Sequence, residues 1–304
     1  MATNLAKAYV QIVPSAEGMK GMIEQVMGKD LEEAGEKAGN SIASKIKNII
    51  VAAGIGKVVS QAFTEGGALE QSLGGIETLY KENADKMKAY AKEAYKTSGV
   101  SANAYMENVT SFSASLISSL KGDTSKAADI ANRAMQDMSD NSNKFGTNIQ
   151  DIQNAYQGFA KQNYTMLDNL KLGYGGTKEE MQRLLKDAQK LSGQKYDISN
   201  LADVYTAIGV IQDNLDITGT TAKEAATTFS GSFGSMKAAA QDFLGNVAIG
   251  GDVTGTLSNL ITTASTFLFD NAVPMALNIV QGFATALISA TPILFQKGYD
   301  LNAV

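Results

Sequence analysis

Apolar positions along this chain recur every three to four residues almost throughout, which predicts helices. Leu69, Leu73, Ile76, Leu79 and Tyr80, then Met87, Tyr90, Ala91 and Ala94, line one side of a helical path that runs to about Ser98. Phe112, Leu116, Ile117 and Leu120 follow, then Ile130, Ala134, Met135 and Met138, then Ile149, Ile152, Tyr156, Phe159 and Ala160. Further upstream, Met19, Met22, Ile23, Val26 and Met27 make a stripe, and another extends from Leu31 to Ala53. The exception is AKAYVQIV, residues 6–13, whose rough alternation ahead of Pro14 predicts one short strand. The expected fold is therefore all-α, extended or loosely bundled, with a single N-terminal strand. The expected domains are 1–66, 67–250 and 251–304.

Breaks fall near 54–56, 98–103, 121–125, 141–148, 173–176 and 192–199, where Gly, Ser, Asn and Asp cluster. Asp123, Thr124 and Ser125 are cap candidates at one of them. Two Thr-x-x-Glu boxes predict helix starts. Thr177 with Glu180 opens a helix lined by Met181, Leu184, Leu185, Ala188 and Leu191. Thr221 with Glu224 opens one containing Phe229, Phe233, Met236, Ala240, Phe243, Leu244 and Val247. Between them lies an amphipathic helix with Leu201, Val204, Tyr205, Ile208, Ile211 and Leu215.

The stretch from Gly173 to Lys178 is the one candidate for phosphate binding. Its order, Gly173-Tyr174-Gly175-Gly176-Thr177-Lys178, places the threonine before the lysine, and no apolar strand feeds it. A Walker loop needs both features, and a dinucleotide fingerprint needs a βαβ unit. A turn accounts for every residue: Gly173 ends one segment, Gly175 and Gly176 reverse the chain, and Thr177 caps the next helix, with Glu180 reaching back.

Composition narrows the chemistry. The 304 residues contain no His and no Cys, so thiol nucleophiles, disulfides and the commonest metal ligand are excluded. Arg133 and Arg183 are the arginines of a chain with net charge −5, a poor equipment for reading nucleic acid. The pairs Asp137/Asp140 and Glu179/Glu180 could do acid–base work in principle; their spacing reads instead as a solvated helix face and a charged first turn. No catalytic, cofactor-binding or metal-binding residue is expected, and the chain is not expected to be an enzyme. No basic segment precedes an apolar core at the N-terminus, which places the start of the chain in a cytoplasm. Residues 271–296 carry no charge. That length suffices to cross a bilayer, while Asn278, Gln281 and the brackets Pro274 and Pro292 suit a buried or lumen-facing helix. A helix that meets a membrane conditionally reconciles the two.

AMQDMSDNSNKFG (134–146) and IQNAYQGFAKQNYTMLDNLKLGYGGTKEEMQRLL (152–185) closely resemble the conserved domain of tail tape measure proteins of long-tailed bacteriophages and prophages of Gram-positive hosts. AKAYVQIVPSAEGMKG (6–21) is similar to the start of those proteins, and FSGSFGSMKAAAQDFLGNVA (229–248) to the segment that closes the domain. The resemblance covers essentially the whole chain, and 152–185 is its specific part. It implies several copies in the lumen of a growing tail tube, around which tube subunits polymerise with assembly chaperones. Protein length then sets tail length, and the protein leaves ahead of the DNA. The implied partners are further copies of itself, the tail-tube protein, assembly chaperones, tail-tip or baseplate proteins and, through 271–296, a host membrane. The implied locations are the virion tail lumen, the host cytoplasm during assembly and the host membrane during ejection. No specific nucleic acid and no cofactor is implied. One helix of 304 residues would reach roughly 450 Å at about 1.5 Å per residue, shorter than such tails usually are. The expectation is therefore an N-terminal portion of a longer protein, or a truncated prophage copy. The rival classes are a secreted helical effector or pore-former, and an enzyme on a helical scaffold.

Overall fold

A computed structural model of the chain describes residues 55–279 and 281. The expected strand at 6–13, the stripes at 19–53 and most of 282–304 lie outside the described residues. The chain divides into two units after Gln61, and the packing that follows concerns the second unit, from Ala62 on. Every regular element among the described residues is helical. They are α1 (Ile55–Tyr80), α2 (Ala84–Thr97), α3 (Ala102–Ser119), α4 (Thr124–Phe145), α5 (Ile149–Ala160), α6 (Lys178–Ser192), α7 (Leu201–Asn214), α8 (Thr220–Thr227), α9 (Phe229–Ile249) and α10 (Val253–Ser265). Single 3-10 turns occupy Lys81–Asn83 and Leu167–Leu170, and a π-helical stretch occupies Thr266–Ala272.

Local sequence explains most of the boundaries. Each helix start leaves orphan N–H groups that a short polar side chain can accept. Ser101 accepts from Ala104 N, Asp123 from Lys126 N, Asn148 from Gln150 N and Asn200 from Ala202 N. The anticipated breaks at 98–103, 121–125 and 192–199 all separate helices. The one at 141–148 is shorter than expected, because α4 runs on to Phe145 and ends at left-handed Gly146. α1 is continuous through Gly66 and Gly67.

α2, α3, α4, α5 and α7 pack around one contiguous core, with α6 laid against α7. The core is built on aromatic residues more than the Ala- and Gly-rich stripes foretell. Its largest fully buried side chains include Tyr80, Tyr105, Tyr156, Tyr205, Phe112 and Phe159. Tyr205 meets Phe112 edge-on, ring centroids 5.4 Å apart at 88°, and lies 5.0 Å from Tyr156. A buried tyrosine must also place its hydroxyl. Tyr205 donates to the Tyr156 carbonyl at 2.8 Å, Tyr105 donates to Asn132 Oδ1 at 2.8 Å, and Tyr80 shares a 2.7 Å bond with Ser113 Oγ. Leu191 and Leu215, expected on buried stripes, are exposed. Each sits in or just past the last turn of its helix, beyond the reach of the neighbouring helices.

The second Thr-x-x-Glu box does not open the long helix. α8 starts at Thr220 and stops at Thr227; α9 starts afresh, capped by Thr228, whose hydroxyl accepts from Gly231 N at 3.0 Å. Thr221 lies inside the first turn of α8 and its Oγ1 has no partner. The physical reason is a cap supplied from elsewhere. Asp140 of α4 accepts from Gly219 N at 2.6 Å and from Thr221 N at 2.8 Å, so a threonine cap has nothing left to satisfy.

Candidate functional site

The glycine loop is a turn whose parts lock one another. Gly173 takes φ +86°, a left-handed conformation that suits glycine. Gly176 is needed for space: a side chain there would strike the Thr165 carbonyl oxygen, 2.2 Å from an ideal Cβ. Thr177 caps α6 as expected, accepting from Glu180 N at 3.2 Å. Glu180 reaches past the cap residue and accepts from Gly175 N at 3.0 Å. Its carboxylate also receives Arg183, which donates to the Gly173 carbonyl at 2.7 Å and lies 4.3 Å over the Tyr174 ring. Arg183 and then the Gly175 N–H hold the Glu180 carboxyl down at about 2. The Gly175 and Thr177 N–H groups and the nearby cation Arg183 thus already have partners within the loop, which supports the turn over a phosphate cradle. Arg183 was missed as a member of this motif; its position three residues past Glu180, on the same helix face, is the signal that could have found it.

The Asp137/Asp140 pair is the larger surprise. Read as a solvated face, it is instead buried, with Asp137 wholly inaccessible and Asp140 nearly so. Asp137 accepts from Arg133 Nε at 2.8 Å, and Arg133 Nη2 also donates to Asp213 at 2.6 Å and to the Gly209 carbonyl at 3.3 Å. Gly209 makes room for this: an ideal Cβ there would lie 2.8 Å from Asp137 Oδ2. Burial pushes the Asp137 carboxyl up to about 7 against the pull of Arg133. Oδ2 has no hydrogen-bond partner. The ion pair ties α4 to α7.

A third buried carboxylate was not singled out by sequence. Asp242 of α9 accepts from Ala102 N at 2.7 Å and so caps α3 from 140 residues away. Burial pushes it up to about 7, and nearby Glu65 adds to the rise. No local pattern marks such a residue, because its partner is distant in sequence.

α9 does not bury its bulkiest side chains. The large apolar stripe of Phe229, Phe233, Met236, Phe243 and Val247 is not the buried one. The buried side is Ser232, Ser235, Ala238, Ala239, Asp242 and Gly245. Small residues let helix axes come close, and the bulkier side chains are left at the flanks. A side chain at Gly66 would strike Ala248, and Gly245 lies against Leu69. Phe229 and Phe233 remain 39% and 47% exposed and gather round Phe267 at 5.1 and 5.3 Å. Phe269, Val273, Met275, Leu277 and Ile279 are exposed as well.

An opening of about 620 Å³ lies where Thr227, Thr228 and Phe229 face Asp270, Met275 and Ile279. A cleft of about 430 Å³ between α3, the end of α5 and the start of α7 is lined by Ser115, Ser118, Ser119, Gln162 and Ser199. It contains no charged side chain. Among the described residues no group of carboxylates could hold a metal ion, and no helix is long and apolar enough to cross a membrane. The expected membrane-active stretch at 271–296 is described only as far as Ile279 and Gln281. Compared with known protein families, with curated proteins and with solved structures, the chain matches none.

Proposed function

We propose that this chain is the N-terminal and conserved helical portion of a phage tail tape measure protein, a structural and non-catalytic component. In this reading it templates tail-tube polymerisation, sets tail length and is released during genome ejection. The observation that carries it, beside the resemblance over 134–146 and 152–185, is the outward apolar surface of Phe229 and Phe233 on α9 and of Phe269, Val273, Met275, Leu277 and Ile279. A run of large apolar side chains facing out suits a protein that works inside an assembly. The buried carboxylates and the glycine loop serve the fold, which fits the absence of any catalytic residue from the matching motifs. Its partners are further copies, the tail-tube protein, assembly chaperones and tail-tip or baseplate proteins, in the tail lumen and, before that, the host cytoplasm.

Two states follow from this reading. The compact helical unit is the form before assembly. An extended rod, opened at the breaks between helices, is the form in the tube, where each residue would span about 1.5 Å. The test is an in-frame deletion within residues 121–169 in the phage or prophage that carries the gene, with tails measured by electron microscopy. Tails shortened by about 1.5 Å per deleted residue support an extended ruler. A complete loss of tails supports an assembly role for the folded unit. Tails of normal number and length sink the reading.

The exposed apolar residues from Phe269 to Ile279 favour one rival, a secreted helical effector or pore-former. Leakage from liposomes with the purified chain, and no association with tail tubes, would select it. Contact of 271–296 with a host membrane during ejection predicts leakage together with tube association.

A further inference from the structure

Large buried side chains become sparse after Ile217. Beyond it the buried apolar residues are Ala225, Ala238, Ala239, Leu257 and Ala264, and none of the largest fully buried side chains is among them. The main core ends at Ile217 too; Tyr95, Ala238 and Ala239 form a separate small cluster against Leu260. An alanine methyl removes far less apolar surface from water than a tyrosine or leucine does. α8 packs on α9 and α9 on α10, which makes a lobe of the three, while α8 also lies against α2 and α4. The lobe meets the bundle through small apolar contacts, Ala248 against Gly66, Gly245 against Leu69 and Ala238 and Ala239 with Tyr95, and through polar ones. Asp242 holds Ala102 N, Asp140 holds Gly219 N and Thr221 N, Gln241 Nε2 donates to Glu65 Oε1 at 3.2 Å, and Lys92 pairs with Asp252 at 3.6 Å. The connection into the lobe is fixed as far as Thr218, whose hydroxyl bonds Asp213 at 2.6 Å and receives Arg133 at 3.1 Å. Gly219, at φ +84°, comes next, and beyond the bond of its own N–H to Asp140 the chain enters the lobe.

We propose that α8, α9 and α10 open from the bundle as one latch, turning at Gly219 and released when Asp242 leaves Ala102 N and Asp140 leaves the start of α8. This goes beyond the tail reading and stands without it. Opening uncovers the small-residue face of α9 on one side, and Tyr95 and the N-terminus of α3 on the other. Sub-global opening of this kind is expected where few apolar contacts close a seam.

Hydrogen exchange on the purified full chain tests it. In the unmutated protein, amides of α8–α10 exchange together, at least about tenfold faster than those of α4 and α7. Their exchange also depends less steeply on urea, because less surface is exposed. Asp242→Ala speeds exchange in α8–α10 by about a further tenfold, the scale of one lost hydrogen bond, and leaves α4 and α7 unchanged. Asp242→Asn keeps an acceptor for Ala102 N and restores most of the protection. One common rate and one urea slope for lobe and bundle in the unmutated chain would overturn the latch, whatever the variants do. Equal acceleration of every helix by Asp242→Ala would overturn it as well.

Discussion

The bundle before Ile217 and the lobe after it are both helical and both rich in alanine, yet they are held together differently. The bundle surrounds Tyr80, Tyr105, Tyr156, Tyr205 and Phe112, each nearly or wholly inaccessible. The lobe meets the bundle through methyl groups, glycine and carboxylates that cap distant helices. Helical periodicity is the same in the two regions, so periodicity says nothing about how firmly a helix is fixed. What decides that is the size of the side chains at the contact and whether polar partners come from far along the chain.

The largest effect should come from the bundle. Tyr205→Ala removes ring contacts with Phe112 and Tyr156 and leaves the Tyr156 carbonyl without its donor. A loss of about 3–5 kcal/mol is expected, read as a lower urea midpoint for the whole chain. The counterpart in the lobe is Leu257→Ala, which removes the largest buried side chain after Ile217. Its cost should sit near the low end for such a change, about 2 kcal/mol, and should appear in α8–α10. If Leu257→Ala proves as costly as Tyr205→Ala, the distinction between the regions collapses.

Much of the bundle was legible in the sequence and much of the lobe was not. Met181, Leu184, Leu185 and Ala188 are buried where their spacing puts them, as are Phe112, Leu116, Ala134, Met135 and Met138. These residues act through local periodicity, which one sequence contains. The all-α fold followed from the same signal. Asp137 and Asp140 were read as solvated because nothing within a few residues reveals Asp213, 80 positions from Arg133, or Gly219 and Thr221, 79 and 81 positions from Asp140. Arg133, one of the chain's two arginines, was the available hint. The packing face of α9 was not legible because hydrophobicity ranks Phe above Ala, whereas a close crossing selects by size.

Next in size is a pH effect that separates the regions. The Asp242 carboxyl, pushed up to about 7 by burial, is protonated more readily in the folded chain than in the unfolded one. A raised carboxyl contributes stability below its unfolded value and loses it as pH rises through the folded value. The chain should therefore gain stability as pH falls from 8 to 6, on the order of 1 kcal/mol from Asp242, with Asp137 acting in the same direction. The lowered carboxyls Asp129, Asp187 and Asp197, together with Glu180, act oppositely, but only in more acid solution, as pH falls through their folded values. Asp242→Asn should flatten the lobe's share of the pH dependence and leave the share of Asp137. Thermal melts at pH 6 and pH 8 of both proteins measure it; a steeper gain at pH 8 than at pH 6 would contradict the burial of both groups.

The smallest effect tests three threonines that look alike in sequence. Thr177 and Thr228 both accept from the N–H three residues on, at 3.2 and 3.0 Å, and each replaced by Ala should cost about 1 kcal/mol. Thr221 stands in the same Thr-x-x-Glu pattern as Thr177, but its hydroxyl is buried and unpartnered while Asp140 does the capping. Removing an unsatisfied buried hydroxyl costs little and can stabilise, so Thr221→Ala should be neutral within about 0.5 kcal/mol. Urea midpoints of the three variants compare them directly. Thr177→Ala belongs to the bundle and should shift global unfolding; Thr228→Ala belongs to the lobe and should be felt first in exchange of α9. If Thr221→Ala costs as much as Thr177→Ala, the helix of the lobe is capped from within, Asp140 is not its anchor, and the contrast between a locally encoded bundle and a remotely fastened lobe loses its clearest support.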